Sequence, residues 1–98
     1  MTDREMLEFA AKAAGYKYLW NIDSLLIKGS SGRWNPLTDD GDALRLAVKL
    51  GLVVDCSRPS AGEPWKQHAI WLDETMSNAE LTRRAIVRAA AAIGRQMP

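Results

Sequence analysis

The chain is poor in the residues that would announce a chemistry. It has one cysteine, one histidine and one phenylalanine among 98 residues. A lone Cys56 closes no internal disulfide, so the fold must rest on its core, and the usage suits a reducing compartment. A lone His68 leaves no histidine-rich set for a transition metal. No apolar run approaches the roughly 20 residues needed to cross a bilayer. The opening MTDREMLEF is acidic where a secretory leader is basic and then apolar. The expectation is a cytoplasmic protein with no membrane partner. Charge of one sign is also missing: 13 basic residues face 12 acidic ones, for a net +1. That balance excludes a dedicated nucleic-acid packaging protein and leaves only a local basic face open.

What is present is ordinary globular material, 47% hydrophobic and 26% charged, enough for one domain over residues 1–98. Thr2-Asp3-Arg4-Glu5 has the capping-box form and predicts a first helix over 2–14, with Met6, Leu7, Phe9, Ala10, Ala13 and Ala14 inward and Gly15 as its stop. Tyr16, Tyr18 and Trp20 alternate as in a strand. Asn21-Ile22-Asp23 reads as a hairpin turn, and Ser24–Lys28 as the partner strand. Gly29–Arg33 is a small-residue loop.

Trp34–Val54, WNPLTDDGDALRLAVKLGLVV, organises the rest. Pro36 keeps Asn35 out of helical geometry. Thr38, Asp39 and Asp40 each offer a capping oxygen, and Asp39, Asp40 and Asp42 sit at the positive end of the helix dipole. Ala43, Leu44, Leu46, Ala47 and Leu50 recur at helical spacing, Gly51 ends the helix, and Leu52-Val53-Val54 is a short strand. A second loop with two prolines runs from Asp55 to Pro64, followed by a strand over Trp65–Asp73. Ser77-Asn78-Ala79-Glu80 caps a last helix whose inward positions would be Ala79, Ala85, Ile86, Ala89, Ala90 and Ile93. The order is α-β-β-α-β-β-α. Continuous apolar character in the later strands suggests cover on both faces. The expected fold is therefore α/β of the α+β type: a three-layer α/β/α sandwich with one four-stranded sheet and three helices.

The run WNPLTDDGDALRLAVKLGL (Trp34–Leu52), together with TRRAIVRAAAAIG (Thr82–Gly94), resembles a family of short phage and prophage proteins described as the phage αβα-sandwich domain. The resemblance implies a sandwich fold and an origin in a virus or prophage, hence the cytoplasm of a bacterial host. It implies no activity. It is weakest over Tyr16–Gly32 and Ser57–Glu74.

Groups able to carry chemistry are few. Asp39-Asp40-Gly41-Asp42 has oxygen ligands for a hard cation but lacks the alternating layout and terminal glutamate of a calcium loop, so helix capping is preferred and no metal is expected. Cys56 or Ser57 with His68 would need spatial pairing, and no activating helix N-terminus or nucleophile elbow accompanies them. No phosphate loop, dinucleotide fingerprint or zinc set is present, so no cofactor is expected. Trp20 and Trp71, on strands, read as core. Trp34 and Trp65, at loop junctions, read either as partner anchors or as lids over the core.

The last helix carries Arg83, Arg84, Arg88 and Arg95, with Arg84, Arg88 and Arg95 near one stripe. These residues with Trp34 and Trp65 form the candidate partner-binding surface. The expected function is a non-enzymatic interaction module for a phage or host protein. Nucleic-acid binding by the arginine helix is the alternative, and a homodimer contact through Val87 and Met97 is a further reading.

Overall fold

The computed structural model describes residues 1–29, 32–69 and 75–98. Each helix begins at a side-chain cap that the local sequence supplies. Helix α1, Asp3–Ala13, starts at Thr2, whose hydroxyl accepts from the Glu5 N–H at 3.1 Å while Glu5 accepts from the Thr2 N–H at 3.1 Å. The bonds from Thr2 hold the Glu5 carboxyl below its ordinary value. Helix α2, Asp40–Leu50, starts at Asp39, which accepts from the Asp42 N–H at 2.8 Å, and ends at Gly51 in the left-handed region (φ 64°). Helix α3, Asn78–Gln96, starts at Ser77. A residue without a side-chain acceptor at any of these caps would cost about 1 kcal/mol.

Among the described residues, five strands lie between the helices: β1 Tyr18–Asn21, β2 Ser24–Ile27, β3 Val53–Asp55, β4 Ser60–Glu63 and β5 Lys66–Ala69. The α+β class, the three helices and the succession α-β-β-α-β-β-α hold, with β4 as an added strand. The single four-stranded sheet does not form. β1 and β2 make one antiparallel sheet, and β3-β4-β5 make another. The outer edge of β2 is closed by its own following loop: Arg33 bridges Leu26, and the Trp34 N–H donates to the Leu25 carbonyl at 2.9 Å. No room is left there for β3.

Strand β4 falls inside the predicted loop. Its sequence, Ser-Ala-Gly-Glu, has no β-branched or aromatic residue, so propensity alone gives no strand. It is one because it pairs on both sides, Val53 with Gly62 and Ala61 with His68 among the registers. Asp55 sets up the turn into it, accepting from the Ser57 N–H, the Ser57 hydroxyl and the Arg58 N–H at 2.9, 2.7 and 3.1 Å. Val53 is exposed and Val54 half-buried, so β3 is covered on one face rather than two. Trp71 and the end of the predicted strand, through Asp73, lie outside the described residues, as do Ser30 and Ser31 of the first loop.

The element in the middle is a helix, not a sheet. Helix α3 packs on α1, on α2 and on the second sheet. Leu81, Thr82, Ala85, Ile86, Val87, Ala89, Ala90, Ala91 and Gly94 are all buried along it. That arc is wider than an amphipathic stripe, as expected of a helix enclosed on several sides. Val87 is fully buried and Ala79 exposed, reversing the reading of both. Burying Leu81, Ile86 and Val87 contributes roughly 1.5–3 kcal/mol each. The α1–α3 contact is close enough that a Cβ at Gly94 would overlap the Phe9 carbonyl oxygen, with the Phe9 carbonyl carbon at 2.8 Å. Only glycine permits that approach. The Cα radius of gyration, 12.6 Å, is that of a compact chain of this length.

Candidate functional site

The four arginines of α3 look alike in sequence and separate in space according to what stands opposite them. Arg83 turns towards α2. Its Nη1 donates to Asp40 at 2.6 Å and its Nε to the Leu37 carbonyl at 2.9 Å, and its side chain is only 15% exposed. It is a clamp between α3 and the start of α2. Arg84 faces α1 and donates to Asp3 at 2.6 Å, half-engaged. Arg88 and Arg95 are exposed, and neither makes an ion pair among the described residues.

These last two stand seven residues apart, about 10.5 Å along the helix at 1.5 Å per residue. They border a groove of about 460 Å³ between α3 and α1, whose other lining is Met1, Met6, Arg84, Ala91 and Ala92. Buried Met6 and Ala91 give the groove an apolar floor under a guanidinium rim. On the other flank of Ala92 is a smaller groove of about 180 Å³, bordered by Glu63, Trp65 and Lys66 from the β4–β5 hairpin and by Ile93 and Gln96. Ala92 belongs to both. Trp65, at the two-residue turn between β4 and β5, is 78% exposed. The structure thus brings Trp65 to the same exposed face as Arg88 and Arg95, with Arg84 at its α1 margin.

Trp34 is not on that face. It is 7% exposed, set edge-on against Tyr16 with ring centroids 5.7 Å apart, and belongs to the core. The sequence places it beside a loop, but its N–H tie to Leu25 draws the loop inward. Trp20 is half-buried, with its Nε1 donating to Glu8 at 3.1 Å and the Arg4 guanidinium 3.9 Å above its ring.

The acidic run at the start of α2 is consumed by structure. Asp39 caps the helix. Asp42 accepts from the Asn35 N–H at 3.0 Å and from Arg45 at 2.7 Å, and Asp40 pairs with Arg83. The bond from Asp42 raises the Arg45 pKa further. Among the described residues, no group of three or more His, Cys, Asp and Glu could hold a metal ion. Cys56 is exposed at the turn after β3. No helix of the described residues is long and apolar enough to cross a membrane.

An apolar recess that sequence reasoning missed lies between α2, α3 and β3. It measures about 430 Å³, and Leu44, Val54, Thr82 and Ile86 line it. The Thr82 hydroxyl is buried and has no hydrogen-bond partner among the described residues. Leu44, an apolar residue left exposed on α2, borders the recess. Comparison with known protein families, with curated proteins and with solved structures finds no match to this chain.

Proposed function

We propose that the protein is a small, non-enzymatic interaction module that binds an acidic protein surface through the exposed face of α3. The observation that carries this reading is the placement of Trp65, Arg88 and Arg95 around Ala92, with Arg84 at the margin. Tryptophan and arginine are the residue types that concentrate binding energy at interfaces, and two guanidiniums with no ion pair among the described residues reward a partner that supplies carboxylates. A phage or prophage origin, with action in the bacterial host cytoplasm, is part of the proposal and rests on the resemblance of Trp34–Leu52 and Thr82–Gly94 alone.

Nucleic acid is the second reading, because the same guanidiniums would lie along phosphates. The apolar floor of Met6 and Ala91 favours a protein. Affinity capture from prophage-bearing lysate, at low and high salt and after nuclease, separates the two. A protein retained after nuclease and lost from the Arg88→Glu, Arg95→Glu double variant supports the proposal. Recovery only of nucleic acid, or full retention by the double variant, refutes it.

A further inference from the structure

A second surface, independent of the α3 face, stands at the β1–β2 hairpin. Two-stranded sheets are marginal alone, and an edge strand offers unpaired backbone groups to another chain. The Lys28 N–H donates to the Lys17 carbonyl at 2.8 Å. Given the register Tyr18↔Ile27, Leu19↔Leu26, Trp20↔Leu25, antiparallel alternation then turns the N–H and C=O of Tyr18 and Trp20 away from β2. The corresponding outward groups of β2 are partly used, since Leu25 accepts from Trp34. Among the described residues, no strand other than β2 lies beside β1.

The side chains around this edge are apolar without being covered. Leu19 is 59% exposed and faces Leu26 on the outer surface of the hairpin. A groove of about 400 Å³ runs along it, bordered by Lys17, Tyr18, Leu19, Leu26, Ile27 and Lys28. At the turn, Ile22 is 85% exposed and holds a φ of 57°, a conformation a β-branched residue adopts at a cost.

We infer that β1 pairs antiparallel with β1 of a second copy of this chain, joining two hairpins into one four-stranded sheet. The pairing is self-complementary. A two-fold axis at Leu19 sets Tyr18 opposite Trp20 of the second copy, and these are the residues whose backbone groups point outward. Charge agrees with the same register: Lys17 comes opposite Asn21 of the second copy, next to its Asp23, so the basic base of each hairpin meets the acidic turn of the other. The Leu19 side chains of the two copies meet on one surface.

The test is sedimentation equilibrium of the full chain over a wide concentration range, with amide hydrogen exchange read by NMR. The wild-type mass should move from 10.9 kDa towards twice that value, and the Tyr18 and Trp20 amides should exchange about tenfold more slowly in the associated form. Tyr18→Pro removes an outward N–H that β2 does not use, and Leu19→Lys places a charge at the axis. Both should stay at the monomer mass, and Leu19→Lys keeps the backbone ladder should the proline variant fail to fold. A wild-type chain that stays monomeric overturns the inference. So does a dimer that persists in Leu19→Lys or leaves the two amides unprotected. Protection of those amides by an extended peptide from another protein, with the chain itself monomeric, also overturns it.

Discussion

Replacing Gly94 by alanine tests the packing on which the fold depends. In an open helix the change would stabilise by about 1 kcal/mol, because alanine is the better helix former. Here the new methyl would run into the Phe9 carbonyl, with the Phe9 carbonyl carbon at 2.8 Å and the Ala13 nitrogen at 3.2 Å. These are backbone atoms of α1, and no rotamer change moves them. Relief requires the helices to separate, which loosens the buried contacts of Ala10, Ala11, Ala90 and Ala91. Overpacking of this kind costs about 1–3 kcal/mol net of repacking. For a domain of this size, that lowers Tm by about 5–20 °C. Gly41→Ala is the control. Its Cβ would meet the Arg45 guanidinium at 3.2–3.3 Å, at the end of a side chain able to shift, and the capping Asp39 Oδ2 at 3.2 Å, with no backbone atom of another element in the way. Thermal and urea unfolding followed by far-ultraviolet circular dichroism should show Gly94→Ala clearly destabilised and Gly41→Ala much less affected. A Gly94→Ala protein as stable as the parent would refute the close α1–α3 contact.

Other consequences follow from single contacts. Thr82→Val removes a buried hydroxyl that has no partner among the described residues. It should raise stability by about 1 kcal/mol, read as a higher urea midpoint, and a loss of stability would show the hydroxyl to be bonded. Arg83→Ala should cost about 1–3 kcal/mol, because it strips the Leu37 carbonyl and Asp40 together. Asp40→Asn, at an exposed carboxylate, should cost under about 1 kcal/mol, and equal losses would contradict the clamp. The Ser57 hydroxyl, aided by two backbone N–H groups, holds the Asp55 pKa below its ordinary 3.8. A carboxyl depressed in the folded state contributes stability that is complete above its unfolded value and lost as pH falls through the folded one. The acid limb attributable to Asp55 therefore lies below about 3.8. An NMR titration should show the Asp55 midpoint rising in Ser57→Ala, and an unmoved midpoint would remove that cause.

Local chemistry made the helices legible. Thr2, Asp39, Ser77 and Gly51 act within a turn of their own positions, so spacing alone reveals them. The acidic run at Asp39–Asp42 reads as helix-start chemistry for the same reason, and each of its three carboxylates has a backbone or arginine partner. Long-range choices were hidden. Strand β4 exists because β3 and β5 flank it, not because Ser-Ala-Gly-Glu favours extension. The role of α3 at the centre shows only in its run of small residues, whose meaning depends on which helix approaches. Position beside a loop leaves Trp34 open between partner anchor and core lid, and the hydrogen bond from its N–H to Leu25 that draws it into the core joins residues nine apart. Arg83 and Arg88 are indistinguishable in sequence, and the Leu37 carbonyl and Asp40 together make the first structural.

The exposed face of α3 is most directly tested by site-specific photo-crosslinking. A benzophenone side chain at the exposed position 96, beside Trp65, would be irradiated in lysate after nuclease treatment, with the same group at exposed position 44 on α2 as the control. The account predicts a discrete protein adduct from position 96, none of the same mass from position 44, and its loss when Arg88 and Arg95 are both changed to glutamate. An adduct that survives the charge reversal, or forms equally at position 44, would contradict it.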